Sequence, residues 1–184
     1  MGLGDHYKSY NSLAEAFFDI TGRFPDNVIY SQAQIAVESS TATPRHWQDI
    51  TNQACRTRVL KIVHYLARLG VTKGTQIAIL ANTRPEWLEA DFAILACGGI
   101  SVSVYQTLPD ADVAYILFDS NTKIVFVENQ EQLNKIFAIS NRSIEMAGTE
   151  DREPTTAQLI FDKIITFERT EDHPNVVCLE DILQ

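Results

Sequence analysis

The chain has few cysteines and no long apolar run. Its three cysteines, Cys55, Cys97 and Cys178, are odd in number and lie far apart, so the sequence contains no pair spaced for a zinc site or a disulfide framework. No stretch approaches the ~18 apolar residues that a membrane-spanning helix needs. We therefore expect a cytoplasmic protein with reduced cysteines, and we expect Cys55 and Cys97 to be small core residues.

Positive charge is also scarce. The 184 residues include 15 Lys and Arg against 24 Asp and Glu, which gives a net charge of -9. An acidic surface repels the phosphates of nucleic acid, so nucleic acid is excluded as a partner. The length suits one domain with one core. We assign residues 12–184 to this domain and expect residues 1–11 to be a loose terminal segment.

The common motifs that hold phosphate, a metal or a catalytic nucleophile are missing. The sequence has no GxxxxGK[ST] loop, no GxSxG elbow and no HExxH pair. The four histidines, His6, His46, His64 and His173, do not have the spacing of metal ligands. We therefore expect no catalytic, cofactor-binding or metal-binding residue within this chain.

Strand and helix patterns alternate along most of the sequence. Short apolar, β-branched runs predict strands at 76–80, 100–105, 123–127 and 163–167. Helical spacing of apolar residues predicts helices at 13–22, 47–69, 87–97, 109–119, 130–139 and 179–184. An extended piece at 28–37, one arm of a hairpin, and polar loops at 39–44 and 140–157 complete the pattern. The alternation predicts an α/β fold, a mostly parallel sheet with helices on both faces.

Particular residues mark the ends of these helices. Ser12 with Glu15, and Thr83 with Glu86, have the spacing of capping boxes, in which a hydroxyl and a carboxylate satisfy the first backbone N–H groups of a helix. Gly70 follows the long second helix, at the position where a left-handed backbone conformation often ends a helix.

Polar side chains follow two of the predicted strands. Asn82 comes after the first, and Tyr105 and Thr107 come at the end of the second. Ligands of parallel α/β sheets bind outside the carboxyl ends of the strands, so these three residues and Trp87, on the next helix, are candidates for lining a substrate cleft. The structural alternative stays open: Asn82 and Thr83 cap the helix, Thr107 starts a turn and Trp87 belongs to the core.

Several segments have the order and spacing of known family motifs. Residues 69–79, LGVTKGTQIAI, are similar to "L-G-V-x-x-G-D-x-V-A-I", with Thr75 in place of Asp. Residues 82–87, NTRPEW, are similar to "N-R-P-E-W" except for Thr83, and 98–107, GGISVSVYQT, resemble "G-A-x-x-V-P-x-Y-x-T" with Ser103 in place of proline. Together with 47–51 and 127–133, these segments resemble the amino-terminal part of the adenylate-forming (AMP-binding) acyl-CoA synthetases, in particular the long-chain fatty acid–CoA ligases.

The resemblance implies an enzyme that uses ATP and Mg²⁺ to activate a fatty acid as acyl-AMP and transfers the acyl group to CoA or an acyl carrier protein. The family's phosphate loop, nucleotide contacts and catalytic lysine follow the segment seen here, and none can be assigned to a residue of this chain. We therefore expect an inactive piece of such a ligase, Rossmann-like in fold, that works with the remainder of the same chain. Peripheral contact with a membrane and a homodimer are further expectations.

Two other interpretations stay open. One is a stand-alone, non-catalytic binding or assembly module that keeps this fold. The other is an unrelated flavodoxin-like nucleotide binder, which would have to hold a nucleotide without a glycine-rich loop. Acyl chain length, the identity of the acceptor thiol and the oligomeric state are not decided by the sequence.

Overall fold

A computed structural model of the chain describes residues 8–34, 46–140, 143–146 and 155–184. The strands are β1 Val28–Gln34, β2 His46–Thr51, β3 Gln76–Leu80, β4 Ile100–Val104, β5 Ile124–Val127, β6 Ser143–Met146, β7 Thr155–Gln158, β8 Lys163–Thr166 and β9 Val176–Cys178. The helices are α1 Leu13–Arg23, α2 Asn52–Arg68, α3 Pro85–Ala96, α4 Asp110–Asp119, α5 Gln130–Ser140 and α6 Leu179–Ile182. No helix in the described ranges is long and apolar enough to cross a membrane.

The main sheet is parallel and has five strands. Its order is β4-β3-β5-β8-β9, and every neighbouring pair runs in the same direction. All four strands predicted from apolar runs lie in it. The predicted α/β fold with a mostly parallel sheet is confirmed, and the carboxyl ends of these strands form one edge of the molecule.

Helices cover both faces of this sheet. In β3, Ile77 and Ile79 join a core formed with α1, α2 and α3, whereas Ala78 and Leu80 join a second core formed with α4 and α5. All four side chains are fully buried. Burial on both faces explains why these strands are continuous apolar runs rather than alternating ones.

The start of the predicted second helix is wrong. Residues 46–51 form β2, which pairs antiparallel with β1, and α2 begins only at Asn52, after Thr51 caps it. The polar residues of β2 gain their strand conformation from hydrogen bonding to β1, which helical spacing cannot reveal. β1 confirms the predicted hairpin arm as far as Gln34, whereas residues 35–37 and the predicted loop at 39–44 lie outside the described residues.

Besides β2, three further short strands were not predicted. The predicted loop at 140–157 is wrong at its described parts, because β6 and β7 pair antiparallel there; residues 141–142 and 147–154 lie outside the described residues. β9, only three residues long, was also missed. Each of these strands is too short or too polar to produce an apolar run, and each is defined by its partner strand.

The helix ends agree only in part with the predicted caps. Ser12 Oγ accepts a hydrogen bond from Glu15 N at 3.1 Å as predicted, but the Glu15 carboxylate accepts from Asn11 N rather than from Ser12 N. The second capping box is wrong: α3 starts after Arg84 with no side-chain cap. Gly70 has φ 82°, the left-handed conformation expected of it.

Residues just before α1 contact that helix. Lys8 Nζ lies 2.7 Å from Asp19 Oδ1, and Tyr10 OH donates to Asp19 Oδ2 at 2.7 Å. Residues 1–7 lie outside the described residues. The domain boundary at residue 12 stays a prediction.

Candidate ligand cleft at the carboxyl edge of the sheet

Three of the four predicted site residues surround one cleft of about 250 Å³ at the carboxyl ends of β3 and β4. The lining residues come from these strand ends and the first turns of α3: Ala81, Asn82, Thr83, Trp87, Ser103, Val104, Tyr105 and Gln106. Thr107 is exposed and is not among them. The structure therefore brings Asn82, Trp87 and Tyr105 together and leaves Thr107 outside.

Trp87 and Tyr105 contribute differently to the cleft. Trp87 is half-buried, packs against the core between the sheet and α1–α3, and lines the cleft as well. Tyr105 is 77% exposed, so its ring is free to contact a ligand at the rim. A wall formed by Trp87 and a rim formed by Tyr105 suit an apolar or aromatic ligand surface.

Asn82 is already engaged by neighbouring side chains. Its backbone N and its Nδ2 donate to Glu128 Oε2 at 2.8 and 3.0 Å, and its Oδ1 accepts from Gln106 Nε2 at 2.5 Å. The three residues follow β3, β4 and β5. Sequence reasoning missed Gln106 and Glu128, although each stands directly after a predicted strand, and that position was the available signal.

Arg84 lies beside this cluster, among three carboxylates. Its Nε donates to Glu86 at 2.8 Å, and its Nη1 donates to Glu168 at 2.7 Å and to Glu128 at 3.5 Å. Desolvation by itself would lower the pKa of Arg84, but the hydrogen bonds to Glu86 and Glu168 outweigh it and raise the pKa. The bond to Glu86 also explains why Glu86 is not available for the predicted capping box.

The residues of this edge do not fit ATP or Mg²⁺. One guanidinium against three carboxylates leaves the local charge negative, and phosphates require cations or free N–H donors. In the described ranges, no group of three or more His, Cys, Asp or Glu is arranged to hold a metal ion. No step that involves nucleotide or metal is assigned to these side chains.

Lys135 fixes the loop that follows β4. Its ammonium group donates to the backbone carbonyls of Gln106 and Leu108, each at 2.8 Å. Because Lys135 comes from α5, this contact joins the cleft to the helix layer on the opposite side from Trp87. The position of Gln106 is therefore set by backbone as well as side-chain contacts.

A second polar cluster lies in the core, away from the cleft. Glu89, on α3, is 1% exposed and accepts two hydrogen bonds from Arg58 Nε, at 2.8 and 2.9 Å, and one from Tyr30 OH at 2.7 Å. Burial raises the pKa of Glu89, and the bonds from Tyr30 and Arg58 oppose that rise. Nearby, Cys55 is fully buried, and this burial raises the pKa of its thiol to about 12.

A larger and more polar cleft, of about 400 Å³, lies at the loop between β8 and β9. The ion pair between Arg169 and Asp181, 2.6 Å long, contributes to its lining. None of the predicted site residues belongs to it. Six of its ten lining residues are exposed and four are charged, which is typical of a solvated loop.

Comparison with known proteins identifies relatives of this chain. The model of the AMP-binding enzyme family matches residues 22–179. The long-chain-fatty-acid–CoA ligase FadD15 of Mycobacterium bovis is 29% identical over 138 residues, which are 75% of this chain and 21% of that protein. An uncharacterized protein of Mycobacterium tuberculosis, Rv1549, is 32% identical over 88 residues, which are 48% of this chain and 50% of that protein.

Solved structures share the fold. The crystal structure of a Rhodopseudomonas palustris protein assigned as a long-chain-fatty-acid CoA ligase superposes with a TM-score of 0.66 at 17% identity, covering 93% of this chain and 36% of that one. At this identity the likeness concerns the fold alone. The chain spans about a fifth of the length of FadD15 and about half of the length of Rv1549.

Proposed function

Because this chain belongs to the AMP-binding enzyme family, we propose that it is the amino-terminal portion of an ATP-dependent ligase that activates long-chain fatty acids. The whole enzyme forms an acyl-AMP and passes the acyl group to CoA or to an acyl carrier protein. The single observation that carries this proposal is the family match over residues 22–179. The similarity to FadD15 over three quarters of the chain supports long-chain fatty acids as the substrate class.

Within that enzyme, the chain serves as a scaffold and supplies one wall of the acyl cleft. The parallel sheet holds the ends of β3 and β4 in place, and Trp87 offers a half-buried apolar surface beside them. The acidic edge around Arg84 does not suit phosphate. ATP and Mg²⁺ are therefore held by residues outside this chain, and the chain alone is inactive.

Contact with lipid and with a second copy are further parts of the proposal. A cytoplasmic enzyme that takes up fatty acids gains from peripheral contact with a membrane, and α1 carries exposed apolar side chains, Leu13 and Ile20 among them. β4 is an edge strand of the main sheet, and its Ile100 is 49% exposed. An edge of this kind can pair with a second copy to form a homodimer.

The experiment is an activity assay of the protein encoded by the complete reading frame around this sequence. We expect fatty-acid-dependent exchange of pyrophosphate into ATP and formation of acyl-CoA, with palmitate preferred over acetate. The 184-residue chain, purified alone, is the matched control and is expected to support neither reaction. Adenylation of short or aromatic acids in place of fatty acids would contradict the proposed substrate class.

A second candidate function is a stand-alone, non-catalytic module that binds a fatty acid or a protein. The similarity to Rv1549, half of whose length is matched here, favours keeping it, because that relative is a much shorter protein than FadD15. Saturable binding of palmitate by the 184-residue chain, from a reading frame that encodes nothing further, would support the module over the ligase.

A further inference from the structure

The backbone of Glu128 is fixed at the carboxyl edge of the main sheet. Its N–H donates to Leu80 O at 3.2 Å, and its carbonyl oxygen accepts from Glu168 N at 3.0 Å. These two bonds extend the pairing of β5 with β3 and with β8 beyond the strand ends. Because they involve backbone atoms only, they persist when the Glu128 side chain is replaced.

The two oxygens of the Glu128 carboxylate serve different neighbours. Oε2 accepts from Asn82 N and Nδ2 at 2.8 and 3.0 Å, whereas Oε1 accepts from Arg84 Nη1 at 3.5 Å. Arg84 makes shorter bonds to Glu86, at 2.8 Å, and to Glu168, at 2.7 Å. The position of Arg84 therefore depends little on Glu128. Asn82, in contrast, donates to no other carboxylate among the described residues, so its position depends on Glu128.

Asn82 in turn connects the two sides of the cleft. Asn82 and Trp87 follow β3 and line one side, and Tyr105 and Gln106 follow β4 and line the other. The hydrogen bond from Gln106 Nε2 to Asn82 Oδ1, at 2.5 Å, joins the two sides. The orientation of Asn82, which Glu128 sets, therefore also sets the orientation of Gln106.

We propose that Glu128 is a positioning residue for acyl binding, which acts through Asn82 and Gln106 to hold the two sides of the cleft in the arrangement that receives an apolar chain. Glu128 is not among the residues that line the cleft. The inference rests on the proposed function, in which this cleft receives the acyl chain of a fatty acid, and it adds the residue that keeps the cleft in shape. Side chains that are ordered in advance do not have to be ordered by the ligand, which improves affinity.

Glu128→Ala should weaken the binding of fatty acid in the complete protein. The variant keeps the backbone bonds and frees the side chains of Asn82 and Gln106, so the ligand must order both. Palmitate should bind about tenfold more weakly, while KM for ATP stays unchanged because residues outside this chain hold the phosphates in the proposed enzyme. Glu128→Gln keeps an acceptor oxygen for Asn82 and should retain most of the affinity. A loss in Glu128→Gln as large as in Glu128→Ala would overturn the inference.

Glu86→Ala is the matched control. The side chains of Glu86 and Glu128 are similarly buried, at 15% and 13% exposure, and both accept from Arg84. Glu86 does not accept from Asn82, so its removal should leave the affinity for palmitate unchanged. An equal loss of affinity in Glu86→Ala would overturn the inference, because a general effect of the acidic cluster would then explain both variants.

A double-mutant cycle tests whether Glu128 acts through Asn82. Palmitate affinity is measured by equilibrium dialysis for wild type, Asn82→Ala, Glu128→Ala and the double variant, and circular dichroism checks that each is folded. The double variant should bind as weakly as Asn82→Ala alone, and additive losses would overturn the inference. If Glu128→Ala does not fold, Asn82→Ala must still lose affinity and Glu128→Gln must still keep it, and the opposite result would overturn the inference.

Binding and ligation are measured separately, so the two proposals fail separately. A wild-type protein that binds palmitate without ligating it would contradict the proposed ligase, and the comparison of affinities would still decide the role of Glu128. A protein that ligates palmitate but binds it equally well after Glu128→Ala would overturn this inference alone. A wild-type protein that does not bind palmitate would overturn the inference as well.

Discussion

At the scale of single residues, hydrogen bonds to two glutamate carboxylates join segments that are distant in the sequence. Glu89 joins β1 to α2 and α3 through Tyr30 and Arg58, and Glu128 joins the ends of β3 and β5 through Asn82. Both carboxylates are mostly buried, and both have hydrogen-bond donors on more than one element. Replacing either glutamate should therefore lower the stability of the fold more than replacing an exposed glutamate.

Removal of the Glu89 carboxylate should be costly. Glu89→Ala leaves Arg58 without its partner, and breaking a buried pair from one side typically costs 3–5 kcal/mol. Because the Arg58 side chain is 32% exposed, we expect the lower end, about 3 kcal/mol of unfolding free energy. Urea unfolding measures it. The exposed Glu131→Ala is the control and should change stability by less than about 0.5 kcal/mol; equal effects of the two would contradict the account.

Asp19 should make the fold sensitive to acid. Hydrogen bonds from Lys8 and Tyr10 lower its pKa to about 2, whereas an unfolded aspartate titrates near about 4. A depressed pKa stabilises the fold above the unfolded value, and this stabilisation is lost as pH falls from about 4 to about 2. The melting temperature of wild type should therefore fall more across that window than the melting temperature of Asp19→Asn. Parallel curves for the two proteins would show that Asp19 does not contribute.

At the scale of elements, two helix starts test whether a threonine before a helix stabilises it only when the threonine hydroxyl caps the helix. Thr51 and Thr83 both precede a helix, but only Thr51 acts as a cap, with its hydroxyl accepting from Ala54 N at 3.2 Å. Thr51→Ala should cost about 1 kcal/mol. Thr83→Ala should cost less than about 0.5 kcal/mol, because α3 starts at Pro85 without a side-chain cap. Denaturant titration of both variants decides, and a larger loss for Thr83→Ala would reverse the assignment.

The same scale explains what the sequence could predict. β3, β5 and β8 are buried on both faces, so their sequences are apolar runs. These runs predict strands without any information about the neighbouring strands. β2, β6 and β7 are polar and exist because an antiparallel partner lies beside them. Four of the five strands of the main sheet were therefore predictable from local patterns, whereas the short β9 and the strands β2, β6 and β7 were not.

At the cleft, too, only the residues that can be located from local sequence patterns were predicted. Asn82 and Tyr105 were predicted because ligands of parallel sheets bind at strand ends. Glu128 and Gln106 acquire their importance only from contacts across strands, which a single sequence does not reveal. Thr107 satisfied the same positional rule but lies just beyond the cleft, since the chain has already turned toward α4.

At the scale of the whole molecule, one sheet carries two separate helix-covered cores and a single edge where strand ends, amides and an aromatic wall meet. Beside the cleft at that edge, one guanidinium, Arg84, is surrounded by the carboxylates of Glu86, Glu128 and Glu168, a negative local charge that does not favour phosphate. We propose that the chain contributes a scaffold and one wall of the acyl cleft, and that residues outside it hold the phosphates.

The measurement that tests this central claim most directly is the dependence of kcat/KM on acyl chain length in the complete protein, for wild type and Trp87→Ala. If Trp87 forms a wall of the acyl cleft, its removal should change the preferred chain length, while KM for ATP stays unchanged. Trp47→Ala, on the exposed face of β2, is the matched control and should keep the wild-type profile. An unchanged chain-length profile in a folded Trp87→Ala protein would contradict the account.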